Sequence, residues 1–209
     1  MSKKKFGLLK GLSDIYICEV SDTVEAYAEV GTPEQLIPAG EMTVGKSIEK
    51  TQFYFDNSMY DEVGQEAPSE MNLIGAAVRP AFLAWIEGKD VDPTTGAILD
   101  DGDWHNKFYA ISGTKNYTDG TSEHFWFLKT SFGGAEEAAK TKDNTTDANG
   151  ATLPFTAYPT VHKFNDGKHR KVVRIDTANT KIKTEQSWTA QVVTPDNLST
   201  VCEKITETA

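Results

Sequence analysis

The sequence is poor in cysteine, in basic residues and in long apolar runs, and each shortage excludes something. Only two cysteines, Cys18 and Cys202, occur in 209 residues. A disulfide framework needs more, and no metal-type Cys spacing exists, which suits a reducing cytoplasm. No apolar stretch approaches the roughly 20 residues of a membrane-spanning helix, so no membrane is expected as a partner. Met1-Ser-Lys-Lys-Lys-Phe-Gly-Leu-Leu-Lys10 begins like a basic signal region, but its apolar run stops at Lys10, too short for a signal core. The Asn-x-Ser/Thr matches at Asn116, Asn144 and Asn197 are then expected to be chance. With 21 Lys/Arg against 31 Asp/Glu the net charge is -10, and the basic footprint needed to grip phosphates is missing.

Catalytic signatures are equally scarce. There is no Gly-x-Ser-x-Gly elbow, no Gly-x-x-x-x-Gly-Lys-Ser/Thr loop and no Rossmann glycine pattern. The four histidines, His105, His124, His162 and His169, share no metal-binding spacing. The acidic loop Asp90–Asp103 carries Asp90, Asp92, Asp100, Asp101 and Asp103, oxygen ligands that suit a hard cation, but not in the EF-hand order. It reads as a solvated loop. The chain is expected to be no enzyme, with no catalytic residues, no metal and no cofactor.

The charge that is present is unevenly placed. Residues 11–70 hold 13 Asp/Glu and 2 Lys/Arg, whereas residues 161–190 hold 7 Lys/Arg and 3 Asp/Glu. If the acidic and basic segments lie on opposite faces, they favour head-to-tail stacking of copies. If not, the asymmetry is that of a solvated surface. Hydrophobic residues make up 38% and mean hydropathy is -0.45, values normal for a β-rich domain with polar loops.

Strand periodicity dominates. Asp14–Val20 is a short apolar run. Thr23–Val30 alternates, placing Val24, Ala26, Ala28 and Val30 on one side, until Gly31-Thr32-Pro33 ends it. Met42–Ile48 reads as the next strand. Thr51–Val63 has an Asp-Asn-Ser turn at its centre and reads as a hairpin in a flexible arm that runs to about Glu70. Met71–Val78, Lys107–Ser112, Glu123–Thr130, Thr152–Phe164, Lys171–Ile175 and Ser187–Val193 complete the strands, and Asp119-Gly120 marks a hairpin turn. A helical turn is expected at Ala135–Lys140 within the polar loop 133–150. Arg79–Gly88 is the best helix. Pro80 fits its first position and Gly88 its stop, and Phe82, Leu83 and Ile86 share one face beside Trp85. The expected fold is therefore mainly β: one β-sandwich or barrel with one short flanking α-helix. Residues 1–12 are expected to form a flexible arm, 13–193 the domain with an extended loop at about 46–70, and 194–209 a C-terminal tail.

The order of these segments resembles the major tail (tail tube) proteins of long-tailed, non-contractile bacteriophages. Gly11-Leu-Ser-Asp-Ile-Tyr-Ile-Cys-Glu-Val20 is similar to their opening strand, and Tyr27-Ala-Glu-Val-Gly-Thr-Pro-Glu-Gln-Leu36 to the segment after it. Val44–Asp61 resembles the next strand and arm, where an aromatic pair precedes Asp-Asn. Ala81–Gly88 stands where the family has a short helix ending in glycine. Phe108–Lys115 and His124–Phe132 resemble a later strand pair, and Thr141-Lys142 precedes a polar loop and a final strand. The resemblance covers about residues 11–165; the sequence after Phe164 matches less well.

The resemblance implies a tail tube-like β-sandwich whose inner strands join across subunits into a β-barrel ring, usually a hexamer. Rings would stack into a tube in the virion, assembled in the host bacterial cytoplasm. DNA would pass through an acidic lumen without specific binding. Implied partners are the chain itself and the tail tip, tape measure and tail terminator proteins. Tubes of contractile tails and of bacterial secretion systems share this general design. The arm Lys46–Glu70 is the first candidate for contact between copies, with Phe53, Phe55, Met59 and Tyr60 as anchors, unless those side chains are buried within their own subunit. Two other readings stand beside it. One is a carbohydrate-binding β-sandwich module with an aromatic platform such as Trp104, Tyr109 and Trp126. The other is a β-sandwich hydrolase acting through two carboxylates, for which no pair stands out.

Overall fold

The computed structural model describes residues 6–103, 105–135, 150–178, 182–183, 188–201 and 203–204. In chain order the elements are β1 (Leu9–Asp22), β2 (Tyr27–Gln35), β3 (Ala39–Val44), β4 (Ile48–Phe55), β5 (Ser58–Glu66), β6 (Ser69–Ala76) and α1 (Pro80–Glu87). Then come β7 (Asp90–Val91), β8 (Ile98–Leu99), β9 (Phe108–Tyr117), β10 (Ser122–Phe132), β11 (Gly150–Ala157), β12 (Val172–Asp176), β13 (Ile182–Lys183), α2 (Leu198–Val201) and β14 (Glu203–Lys204). The fold is mainly β with a short helix against it, the class that the period-two pattern predicts.

Among the described residues, the main sheet runs β2-β1-β9-β10-β11-β6-β3, with β12 also paired to β10. Every pairing in it is antiparallel. β10 makes the corner. Its residues Glu123–Phe127 pair with β12, and Thr130–Phe132 pair with β11. A register shift between Phe127 and Thr130 marks a bulge at the changeover, the device by which a strand bends between two layers. The sheet curls over the first core, and β1 and β3 come into contact.

Both faces of the central strands are buried, which is why β9 and β10 read as apolar runs without clean alternation. Ile15 and Ile17 of β1, Ile111 of β9 and Phe125 and Phe127 of β10 meet Leu73, Leu153 and Phe155 from the other half in one core. α1 seals this core. Ile86 is buried in it, with Phe82, Leu83 and Trp85 packed at its margin. Pro80 starts the helix, and Gly88 stops it at φ 73, a left-handed position that glycine adopts freely. The second core lies on the opposite face, where Cys18, Val20, Ala110, Trp126 and Leu128 are covered by Phe164, Trp188, Val192, Val193 and Val201.

Several expectations are corrected. The alternation of Thr23–Val30 points the wrong way. Tyr27 and Glu29 face inward, where Tyr27 Oη donates to the Leu128 carbonyl at 2.6 Å and Glu29 accepts from the Val192 N–H at 3.0 Å. Val24 and Val30 are exposed. Two inward polar partners outweigh the apolar pattern, because burying those groups unpaired is costly. Gly31, at φ 97, does not end the strand; β2 continues past it to Gln35, opposite a register shift in β1. The strand expected at Met42–Ile48 divides at Gly45 between β3 and β4. The strand expected at Ser187–Val193 is absent from its described part: Trp188–Val193 forms turns and coil that bury Trp188, Val192 and Val193. β1 begins at Leu9, inside the expected arm, and α2 lies inside the expected C-terminal tail. The helical turn expected at Ala135–Lys140 lies, beyond Ala135, outside the described residues.

Candidate assembly surfaces

β4 and β5 form a two-stranded hairpin of their own, outside the main sheet. Asp56 (φ 50) and Asn57 (φ 59) make its two-residue turn, the left-handed pair that matches strand twist. The register runs from Ile48↔Glu66 to Phe53↔Asp61, then shifts so that Tyr54 faces Met59 and Tyr60 is the extra residue of a bulge. Every residue of both strands is exposed. Eight residues of strand reach roughly 26 Å at about 3.3 Å each.

The hairpin's two faces differ. On one, Lys50 meets Glu62 at 2.5 Å, Gln52 donates to Glu62 at 3.0 Å, and Tyr54 Oη donates to Gln52 at 2.7 Å. This face satisfies its own polar groups. Strand alternation puts Thr51, Phe53, Phe55 and Val63 on the other. There the Phe55 and Tyr60 rings meet edge to face with centroids 5.4 Å apart. All four expected anchors are exposed: Phe53 by 44%, Phe55 by 61%, Met59 by 55% and Tyr60 by 78%. The structure brings Phe55 and Tyr60 together and sets Met59 opposite Tyr54 at the tip. Burial of these aromatics within their own subunit is not what is found. Exposed aromatic rings on a hairpin outside the main sheet are the kind of surface that marks a macromolecular interface.

The hairpin is tied down at its base. Lys171 Nζ lies 2.8 Å from Glu66, donates to the Ala67 carbonyl at 3.0 Å and reaches Ser69 Oγ at 3.2 Å. Ser69 pairs with Ala157 of β11, so base and end of β11 share one end of the sheet. At that end lies a cleft of about 550 Å³, lined by Phe108, Lys129, Ser131, Tyr158, Pro159 and His169 among others. Lys129 Nζ sits 4.3 Å from the centroid of the Phe108 ring at the cleft wall.

Beneath the cleft is a buried ion pair that sequence reasoning missed. Lys129 Nζ is 2.8 Å from Asp22, with the Asp22 side chain fully buried. The same carboxylate accepts the N–H groups of Val161 (2.7 Å) and His162 (2.9 Å). Burial pushes the Asp22 carboxyl up, but the hydrogen bonds from Lys129 and the two backbone N–H groups outweigh it and hold it below the usual carboxylate range. The two N–H bonds tie residues 161–162 to β1, and Lys129 joins β10 to the same carboxylate. Lys129 after the apolar run Phe125–Leu128 was a visible anomaly; its partner, 107 positions away, had no local signal.

The other candidate sites are not assembled. Tyr109 and Trp126 are fully buried, so they form no exposed sugar platform; Trp104 lies outside the described residues. Tyr109 Oη donates to the Ile86 carbonyl and Trp126 Nε1 to the Trp188 carbonyl. Among the described residues no group of three or more His, Cys, Asp and Glu is placed to hold a metal ion. In the acidic loop, Asp92 accepts from Thr94 N–H and Thr95 Oγ1, and Asp100 pairs with Lys89 at 2.5 Å. His124 is packed between Thr114 and Trp188, where burial lowers its affinity for a proton.

No protein-family model matches the chain, and no curated protein matches its sequence. Solved structures do. One is a chain of the PVC sheath–tube complex, an extracellular contractile injection system in its extended state, with TM-score 0.40 and 8% identity over 77% of this chain and 87% of that one. Another is a chain of the six-fold symmetrised baseplate of the anti-feeding prophage (AFP), with TM-score 0.42 and 7% identity over 84% of this chain and 97% of that one.

Proposed function

We propose that this chain is a structural subunit that polymerises into a tube of the phage-tail type. The observation that carries the reading is the hairpin Ile48–Glu66, exposed along both strands and apolar on one face. A monomer gains nothing from such a strip, whereas a neighbouring copy buries it. Phe53, Phe55 and Tyr60 are its anchors, and Met59 adds an exposed apolar side chain beside Tyr54 on the tip's other face. Among the described residues β2 and β3 end the strand order of the main sheet, and unpaired edges are templates for another chain. A head-to-tail contact whose rotation closes gives a ring, and rings with complementary faces stack.

On the sequence resemblance, the rings are hexameric, the tail is non-contractile, and the tube conducts DNA from the virion into a host bacterium. The tail tip, tape measure and tail terminator proteins are then its partners, and its acidic character keeps phosphates from adhering to the lumen. Negative-stain electron microscopy across a concentration series, with mass in solution, tests this. Rings or tubes with a central channel are expected. A monomer at every concentration, with tail-tip components added, overturns the reading.

A further inference from the structure

We propose that the hairpin tip of one copy seats in the cleft beside Phe108 and Tyr158 of a neighbouring copy. The inference rests on the assembly reading above and names the two surfaces that join. The tip offers what the cleft lacks. Phe55 and Tyr60 are joined rings, exposed by 61% and 78%. The cleft presents the half-buried Phe108 and Tyr158 with Pro159, in about 550 Å³, a volume suited to large side chains.

Charge is matched as well. Residues 48–66 carry five acidic residues and one lysine, and residues 159–174 carry five Lys/Arg and one aspartate. Asp61 is exposed next to Tyr60; His169 lines the cleft, and the exposed Lys168 precedes it in the chain. Lys171 already pairs with Glu66 of its own hairpin, so the base is anchored, while the tip is exposed. The occupant is a second copy, because the hairpin's own cleft leaves both of its strands fully exposed. Tip and cleft are different surfaces, so a joint that repeats from copy to copy is a heterologous contact, the kind that propagates or closes.

The test uses the full chain with a photo-crosslinking benzoylphenylalanine in place of Tyr60. In assembled material, cross-links are expected on residues 158–171 of another copy. Tubes whose cross-links all fall elsewhere overturn this joint and leave the assembly reading standing; absence of any assembly removes both. A charge exchange is a second measure. Asp61→Lys and Lys168→Glu should each raise the critical concentration for assembly at least about tenfold, and the doubly exchanged chain should regain most of it. Losses that simply add in the double variant overturn the pairing. Unchanged circular dichroism of each variant shows that the fold is intact.

Discussion

Asp22 and Lys129 carry opposite charges 2.8 Å apart with almost no solvent between them. Removing one partner strands the other. Asp22→Asn should destabilise the fold by about 3–5 kcal/mol in urea denaturation at pH 7. Pairing Asp22→Leu with Lys129→Met should recover much of that, because neither charge is then left alone. The pH dependence has a definite sign. The folded carboxyl lies below its ordinary value, so its contribution is complete above the unfolded pKa of about 3.9 and is lost as pH falls through the lower folded value. Between pH 5 and pH 2 the urea midpoint of Asp22→Asn should therefore fall less steeply than that of the parent. Gly113 is a second sensitive point. A Cβ there would stand 2.5 Å from Phe125 Cζ and 2.6 Å from Ile15 Cδ1. Gly113→Ala should cost about 1–3 kcal/mol through overpacking, read by the same titration.

At the scale of elements, the hairpin and the covering segment predict opposite phenotypes. Phe55→Ser with Tyr60→Ser removes exposed rings only, so the monomer's stability should move by less than about 0.5 kcal/mol while assembly fails. Trp188→Ala opens a hole in the second core and should cost about 3–5 kcal/mol, measured by thermal or urea unfolding. Sequence could read one of these and not the other. Asp56-Asn57 between two aromatic-bearing strands announces a hairpin through local turn chemistry, and Pro80 and Gly88 bracket α1 in the same way. Trp188, Val192 and Val193 looked like a strand because their side chains are apolar. What places them is the Trp126 indole reaching the Trp188 carbonyl and Glu29 reaching the Val192 N–H, contacts between residues 62 and 163 positions apart. Periodicity carries no trace of such pairings. The inward turn of Tyr27 and Glu29 was hidden for the same reason. The cleft was also illegible, since Phe108, Lys129 and Tyr158 come from three separated segments.

At the scale of the whole molecule, the acidic hairpin and the basic segment after Pro159 make an electrostatic test of assembly. Opposite charges across a head-to-tail joint attract over the Debye length, about 10 Å at 0.1 M salt and about 3 Å at 1 M. Apolar burial between Phe55, Tyr60 and the cleft responds differently, because excluded salts such as sulfate strengthen it. The two contributions therefore separate by choice of salt. With sodium chloride raised from 0.05 to 0.5 M, the critical concentration measured by sedimentation should rise if charge pairing guides the joint. With ammonium sulfate at high concentration it should fall again, as burial of the rings takes over. A critical concentration indifferent to sodium chloride would mean that the acidic and basic segments do not face one another between copies. The asymmetry of charge along the chain would then serve solubility, and the rings of the hairpin tip would carry the joint alone.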